Sequence, residues 1–321
     1  MPDLIEDQAA SLRRLLGGAT LHSLLFIGGD SGTGQSALVA NVAHAMAQGG
    51  QSVLVIDAQP QLRSGARWFG LSPRGDLAEA MAGKRRLDDL LLHAPGGVTW
   101  LPAARLSDAP GTGAQRPSGA QARVLAELAA RFDTVLIDVP TDRVRHWTPA
   151  AAHAGAVLLG SSEAQRSITS TYSALKSLSW QNGQQRYLWW IARATASAPA
   201  EAAYRKVAQT AQRFLHMQLG FAGPVPADPM VGRAERMRRP VVEAFPASRY
   251  AAACAMLAVR LSTLPRRSEA ATLLWDGLLG FDPDPDASRT PTDSRHSHSR
   301  SPDAAQPRPI GAPDRTELVS R

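Results

Sequence analysis

The sequence predicts an α/β protein with a doubly wound, mostly parallel sheet and helices on both faces. Short apolar runs recur along the chain, and two of them, Val53–Asp57 and Phe132–Asp138, end in an acidic residue. Segments with helical character separate these runs, a pattern typical of parallel sheets that are covered on both faces. A glycine-rich loop at residues 28–36 joins the first apolar run to the first helix. These observations together favour the α/β class.

The apolar runs and the segments between them give the predicted elements in order. Strands are predicted at residues 21–28, 53–57, 98–102, 132–138, 156–160, 187–191 and 221–226. Helices are predicted at residues 35–48, 76–93, 120–131, 163–180, 200–218, 229–238 and 247–263. Residues 107–120 are rich in Gly, Pro, Ser and Ala, which predicts a flexible loop.

The beginning of the chain has the pattern of a short amphipathic helix at residues 3–16. Leu12, Leu15 and Leu16 share one face at helical spacing, and Gly17 and Gly18 end the helix. This segment is either a frayed extension or a docking helix for a partner, and its composition does not distinguish the two.

A second amphipathic segment, residues 270–281, follows the last predicted helix. Its large apolar residues can share one face, with a basic pair upstream: Leu274, Trp275, Leu278, Leu279 and Phe281. The pattern is typical of an interfacial membrane helix, and equally of a terminal helix packed on the domain. The organisation predicted is therefore a docking helix (1–18), a globular domain (19–264), the candidate membrane helix (265–281) and a disordered tail (282–321).

Composition limits the function classes. The 321 residues contain one cysteine, Cys254, so no intramolecular disulfide can form. No run of about 18 apolar residues occurs, which argues against a membrane-spanning helix, and the absence of a signal peptide favours the cytoplasm. The net charge of +7 allows contact with nucleic acid or anionic lipid, but it is also typical of a soluble protein that prefers arginine.

The glycine loop carries the main chemical signal. A strand, a glycine loop and a helix N-terminus form a phosphate cradle, because glycines let backbone N–H groups converge on an anion. The predicted nucleotide-binding residues are Gly29, Asp30, Ser31, Gly32, Thr33, Gly34, Gln35, Ser36 and Ala37. The usual loop has lysine where this chain has Gln35, so the scaffold indicates a nucleotide while the chemistry at its centre is altered.

Two strand-terminal acids are expected near this loop, at the carboxyl edge of the sheet. The hydroxyl of Ser36 and the carboxylate of Asp138 are the pair predicted to hold Mg²⁺ beside a phosphate. Asp57 is a catalytic candidate. Both acids could instead be ordinary strand-end residues that cap loops.

Several motifs point to one family. Residues 7–13 have the sequence Asp-Gln-Ala-Ala-Ser-Leu-Arg, and further motifs occupy residues 69–73, 95–98, 225–228 and 239–242. Together with the glycine loop, they resemble FlhG (also called FleN or YlxH), a flagellar-number regulator family in the MinD/ParA class of deviant P-loop ATPases. The N-terminal motif is the most diagnostic, because other MinD-like proteins lack it. The resemblance covers about residues 7–264.

The resemblance implies the MinD/ParA-like P-loop NTPase fold, with ATP or ADP and Mg²⁺ as cofactors. Two lysines of the family's loop are replaced here by Asp30 and Gln35, and the second acid of the Asp-x-Asp motif after the second strand is replaced by Gln59. These departures imply a degenerate ATPase with very weak or absent hydrolysis.

The resemblance also implies partners. In the family the N-terminal helix activates an FlhF-like signal-recognition-type GTPase, which carries over to Asp7, Gln8, Ala9, Leu12 and Arg13, with Gln8 at the contact. Flagellar switch proteins, a flagellar transcription activator, a homodimer and peripheral contact with the inner face of the cytoplasmic membrane are further implied.

Two other hypotheses stay open. One is a true ATPase with an unorthodox loop, whose turnover would fall on substitution of Asp57 or Asp138. The other is a MinD/ParA-like protein that positions another cargo, such as pili, the cellulose synthesis machinery or DNA; the Asp7–Arg13 motif counts against it.

Overall fold

The computed structural model describes residues 22–29, 33–106, 124–125, 127–128, 130–179 and 185–266. Its centre is a sheet of eight strands. The strands are β1 (His22–Gly28), β2 (Val53–Asp57), β3 (Leu92–His93), β4 (Val98–Pro102), β5 (Thr134–Val139), β6 (Ala156–Ser162), β7 (Tyr187–Ala194) and β8 (Leu219–Pro226).

The strand order is β3-β4-β2-β5-β1-β6-β7-β8, and every neighbouring pair is parallel except β3 and β4. Strand β1 therefore lies inside the sheet, with β5 on one side and β6 on the other. The chain order reverses about β1, which opens a crevice at the carboxyl ends of these strands. The predicted doubly wound, mostly parallel sheet is confirmed.

Eight α-helices within the described residues connect or cover the strands. They are α1 (Gln35–Gln48), α2 (Leu77–Met81), α3 (Thr148–His153), α4 (Gln165–Ser179), α5 (Ser197–Leu215), α6 (Pro229–Met237), α7 (Val241–Ala244) and α8 (Arg249–Ser262). Four 3₁₀ helices complete this part of the chain: Gln61–Arg63, Gly65–Phe69, Asp88–Leu90 and Thr141–Trp147.

The sheet is covered on both faces, as its apolar runs predict. Successive residues of β1 point to opposite sides, so Leu24 and Phe26 pack in one core and Leu25 and Ile27 in the other. The first core includes α1 and α8, and the second includes α4 and α5. Burial on both faces explains why the strands are apolar throughout rather than alternating.

The prediction of one helix over residues 76–93 is wrong. Helix α2 begins after Asp76, whose side chain accepts a hydrogen bond from the backbone N–H of Ala78, and it ends at Met81. Gly83 then adopts a φ of +68°, a backbone conformation that interrupts a helix. The leucines beyond it reach the core through a 3₁₀ turn and strand β3, so their spacing mimics a helix without forming one.

Several predicted boundaries shift by a few residues. Helix α5 ends at Leu215 because His216 has a left-handed φ of 54°, and β8 begins at Leu219. Of the predicted helix at 120–131, the four described residues at 124–125 and 127–128 are helical. The predicted N-terminal helix (3–16), the loop at 107–120, the segment 270–281 and the tail from 282 lie outside the described residues. Within the described part of the chain, no helix has the length and apolar character needed to span a membrane.

Candidate functional site

The two strand-terminal acids lie side by side at the carboxyl edge of the sheet. Strands β2 and β5 pair in register so that Asp57 is opposite Asp138, and β5 pairs with β1 so that Asp138 is opposite Phe26. Both carboxyls are buried, Asp138 with no exposed surface and Asp57 with 3%. The expected convergence of these acids with the start of α1 is therefore present in the structure.

Asp57 is held by the segment that follows its own strand. Its carboxylate accepts hydrogen bonds from the Ser64 hydroxyl at 2.6 Å, the Gly65 backbone N–H at 3.1 Å and the Gln59 backbone N–H at 3.0 Å. These contacts order the turn between β2 and the 3₁₀ helices. They also direct the carboxylate into the protein, where it fixes local structure.

The pKa of Asp57 is raised to about 7. Burial of the carboxyl is the largest cause and the neighbouring Asp138 carboxylate is the second, whereas the hydrogen bonds from Ser64, Gln59 and Gly65 act to lower the pKa. Burial also raises the pKa of Asp138, against the opposing effect of hydrogen bonds from Ser36, Gln59 and Gln35. Two carboxyls this close and this buried do not both ionise easily, so the pair retains a proton near neutral pH.

Gln35, the residue in the lysine position, is turned into the sheet. Its amide nitrogen donates to the backbone carbonyls of Phe26 and Val139, each at 2.9 Å, and to Oδ1 of Asp138. The side chain is 7% exposed. Because the amide carries only two hydrogens for three acceptors, its donor capacity is fully used by the protein. Gln35 thus ties the start of α1 to the ends of β1 and β5.

Gln59 completes the floor of the site. Its amide nitrogen donates to Oδ1 of Asp138 at 3.0 Å, so two neutral amides share one carboxylate oxygen. The residue that replaces the second acid of the Asp-x-Asp motif is therefore a hydrogen-bond donor to Asp138. We call the buried set Gln35, Asp57, Gln59 and Asp138 the floor.

The second carboxylate oxygen of Asp138 is one of the two predicted Mg²⁺ ligands. Its Oδ2 atom is buried and has no hydrogen-bond partner in the described part of the chain, and the Ser36 side chain is hydrogen-bonded to the same carboxylate. A carboxylate oxygen and a hydroxyl are suitable Mg²⁺ ligands when phosphates and water supply the others. No cluster of three or more His, Cys, Asp or Glu side chains occurs among the described residues, so a cation here would need such added ligands.

Two glycines shape the loop above the floor. The backbone N–H of Gly29 donates to the Gly160 carbonyl at 2.6 Å, and a Cβ atom at position 29 would lie 2.6 Å from the Ser167 carbonyl oxygen. Gly34 precedes α1 with a left-handed φ of 70°. A side chain would clash at the first position and strain the backbone at the second.

A cleft of about 920 Å³ lies over the loop. Its walls come from the segments that follow β2, β5 and β6, and its lining includes Ser36, Gln59 and four arginines: Arg63, Arg67, Arg145 and Arg166. Sequence reasoning missed these arginines. Each follows the end of a strand by a few residues, and that shared position is the signal that could have identified them.

Comparison with known proteins now adds to this geometry. Residues 24–241 match the family model "CobQ/CobB/MinD/ParA nucleotide binding domain". The chain belongs to this family. The match includes the glycine loop, both acids and every strand of the sheet except the first residues of β1.

Individual relatives agree with the family match. The chain is 29% identical over 243 residues to the antiactivator FleN of Pseudomonas aeruginosa, covering 74% of this chain and 85% of FleN. It resembles MinD in the MinC:MinD cell division protein complex of Aquifex aeolicus with a TM-score of 0.56, at 20% identity, over 75% of this chain and 95% of the other. The comparison with MinD complexed with Mg-ADP from Pyrococcus horikoshii gives a TM-score of 0.56 at 19% identity, over 76% of this chain and 97% of the other. The predicted resemblance to FlhG (FleN) and the MinD/ParA fold are confirmed.

Not every predicted site residue of this MinD/ParA family member falls in the described structure. Gly29, Thr33, Gly34, Gln35, Ser36 and Ala37 line the cleft. Asp30, Ser31 and Gly32 lie outside the described residues, as do the predicted partner-binding residues Asp7–Arg13 and the predicted membrane residues at 274–281. Their roles, like those of Asp57 and Asp138, remain predictions.

Proposed function

We propose that this protein is an FlhG-type regulator of flagellar number and placement, which acts by docking to partners and hydrolyses ATP very weakly or not at all. The similarity to antiactivator FleN over most of both chains supports the flagellar part of the proposal. The N-terminal Asp7–Arg13 motif supports it further, because it is specific to FlhG among MinD-like proteins.

The hydrogen bonds made by Gln35 are the main support for the proposal that ATP hydrolysis is very weak or absent. Phosphoryl transfer needs positive charge on the oxygens of the transferred group. The side chain at the lysine position is neutral, and its amide hydrogens are committed to Phe26, Val139 and Asp138. Gln59, at the position of the second acid, donates a hydrogen bond and has no carboxylate with which to orient an attacking water. Both features weaken stabilisation of the transition state.

Binding without turnover remains compatible with the site. The glycine loop and the N-terminus of α1 supply backbone N–H groups for phosphate. Ser36 and Oδ2 of Asp138 would hold Mg²⁺ between the protein and the phosphates, and the cation would screen the acidic floor from them. A nucleotide of this kind would act as a ligand that sets the conformation or the oligomeric state.

The proposed partners are those that the resemblance to FlhG implies. They are an FlhF-like GTPase contacted through the helix predicted at residues 1–18, flagellar switch proteins, and a flagellar transcription activator, which the description of FleN as an antiactivator favours. We further propose that the domain at residues 19–264 forms a homodimer and that residues 270–281 contact the inner face of the cytoplasmic membrane.

The test is genetic and biochemical. In the organism that encodes the protein, deletion of the gene should change the number of flagella per cell counted by electron microscopy, and the wild-type gene should restore it. The full-length Gln8→Ala variant should fail to restore the number and fail to stimulate the GTPase activity of the FlhF-like partner. Gln209→Ala, at an exposed position of α5, is the matched control and should behave as wild type.

An unchanged flagellar count in the deletion strain would contradict the proposal. If deletion changes the number of flagella but the Gln8→Ala variant restores it and stimulates the GTPase normally, the flagellar role stands and the proposed docking contact of Gln8 is wrong.

A further inference from the structure

The rim of the cleft carries a positive charge that the floor lacks. Arg63, Arg67, Arg145 and Arg166 all line it, and all four are exposed. None of them forms an ion pair within the described part of the chain. Arg67 donates to the Leu62 carbonyl, which fixes that side chain against the 3₁₀ segment after β2. We call these four residues the arginine rim.

The sheet topology distributes the arginine rim around the glycine loop. Arg63 and Arg67 follow β2 and Arg145 follows β5, on one side of β1, whereas Arg166 lies at the start of α4 after β6, on the other side. The four arginines therefore line the cleft from both sides of β1.

The charge balance of the lining favours an anion. Among the described lining residues, the arginine rim is opposed by two carboxylates, those of Asp142 and Glu235. Gln35, where an ordinary loop would add a cation, is neutral and turned away. The positive charge among the described lining residues therefore lies on the arginine rim.

The opposite wall supplies hydroxyl groups. Ser170, Ser173 and Ser177 of α4 line the cleft on the same helix face, beyond Arg166. The hydroxyls of Ser173 and Ser177 donate to backbone carbonyls one turn earlier, so their oxygens can serve a ligand only as acceptors. Guanidinium groups near the loop and hydroxyl groups along one wall match a ligand with several phosphates and a sugar.

We propose that the arginine rim, with Arg145 and Arg166 following strands on opposite sides of β1, binds the phosphates of a nucleoside triphosphate in place of the missing loop lysines. Guanidinium groups suit this task because their planar donors contact phosphate oxygens in pairs. The inference rests on the proposed function in one respect: it takes the glycine loop as the nucleotide site.

The experiment is calorimetric titration of the full-length protein with ATP and Mg²⁺, ADP and Mg²⁺, adenosine, and inorganic tripolyphosphate. The wild type should bind ATP more tightly than ADP and should not bind adenosine measurably, and tripolyphosphate should compete with ATP. The double variant Arg145→Gln/Arg166→Gln should lose at least tenfold in ATP affinity, since each charge-assisted contact is worth roughly that factor. A higher salt concentration should weaken ATP binding by the wild type more than ATP binding by the variant.

The matched control is Arg205→Gln/Arg213→Gln, which removes the same charge from exposed positions of α5 outside the cleft. It should bind ATP as the wild type does. All four substitutions are at exposed positions, and equal thermal unfolding midpoints would show that both variants are folded.

Two results would overturn the inference, and they differ in what they leave standing. If the cleft variant binds ATP as tightly as the control, the loop alone holds the phosphates, and nucleotide binding survives. If the wild type binds neither ATP nor tripolyphosphate at millimolar concentration, the arginine rim has no phosphate ligand. The flagellar role is judged separately, by the count of flagella in the deletion strain.

Discussion

The floor and the rim of the cleft differ in how their polar groups are satisfied. On the floor, Gln35 and Gln59 donate to Asp138, and Asp57 accepts from Ser64 and from two backbone N–H groups. On the rim, four exposed arginines form no ion pair among the described residues. The floor therefore contributes to folding, whereas the charges of the rim are not neutralised by an ion pair within the described part of the chain.

The contrast separates the part of the site that holds the fold together from the part that is exposed. Neutral amides, those of Gln35 and Gln59, lie at the carboxyl edge of the sheet. At the described ends of the loop, Gly29 packs closely against α4 and Gly34 has a left-handed conformation. This arrangement is the basis for the proposal of weak or absent hydrolysis.

The largest expected effect is on the stability of the floor. Gln35→Ala leaves the Asp138 carboxylate and the carbonyls of Phe26 and Val139 without their donor, which should lower the free energy of unfolding by about 2 to 4 kcal/mol. Gln59→Ala removes one side-chain hydrogen bond and should cost less, about 1 to 2 kcal/mol. Urea denaturation measures both. Equal and small losses, below roughly 0.5 kcal/mol, would mean that the floor is not structural.

The second expected effect is on ATP affinity, when a positive charge is restored at position 35. Gln35→Lys places an ammonium group at a residue that lines the cleft, from which a long side chain can extend toward the ligand instead of toward Asp138. The added cation should raise affinity for Mg²⁺-ATP by roughly tenfold, the value of one charge-assisted contact. Calorimetry against the wild type checks this. An unchanged or lower affinity would show that the loop does not present its lysine position to phosphate.

A third effect concerns the proton held by the floor. The folded protein retains a proton on the Asp57–Asp138 pair up to about pH 7, whereas carboxyls of the unfolded chain release theirs near pH 4. Stability from this pair is therefore lost as the pH rises from about 4 through 7. Asp138→Asn keeps an oxygen for the two amides and removes one charge. The free energy of unfolding of the variant should therefore rise relative to that of the wild type as the pH increases. At pH 8 the gain should be on the order of 1 kcal/mol, which is the free energy of one pKa unit.

Denaturation of the wild type and Asp138→Asn at pH 5.5 and pH 8 checks this sign. Burial lowers the pKa of His22 to about 4, an effect that acts in the opposite direction but is common to both proteins. Gln209→Ala, at an exposed position without a titratable group, serves as the control and should show no pH-dependent difference. A stability difference between wild type and Asp138→Asn that stays constant with pH would contradict the shared-proton account.

The smallest expected effect is on the rim. Leu62 is 82% exposed beside Arg63, and Leu62→Ala should change the free energy of unfolding by less than about 0.5 kcal/mol. Arg145→Gln should be equally neutral for stability. Thermal unfolding of both variants would check this, and a loss above 1 kcal/mol would place the rim in the folding unit together with the floor.

The sequence predicted the fold because the apolar strands and the glycine loop are local signals. Val53–Asp57 and the acid-ending run before Val139 are buried on both faces, so their composition alone identifies them as parallel strands. The prediction of one helix over residues 76–93 was wrong because leucines at helical spacing can also reach the core through a turn and a short strand. A positive φ at Gly83, which decides between the two, cannot be read from spacing.

The site could be predicted in part. Asp57, Asp138 and Ser36 were expected at the carboxyl edge because the ends of parallel strands meet there. The direction of Gln35 into the sheet was not predictable, since it depends on the carbonyls of Phe26 and Val139, which come from two strands far apart in sequence. The arginine rim was missed for the same reason: its members come together only through the strand order.

We propose that this family member keeps a nucleotide-binding site whose hydrolytic chemistry is disabled. The most direct measurement is the rate of phosphate release from Mg²⁺-ATP by the full-length wild type and by Asp57→Ala. We expect both rates to be indistinguishable from the rate without protein. A wild-type rate above that background, which falls in Asp57→Ala and in Asp138→Ala, would contradict the claim and establish an ATPase with an unorthodox loop.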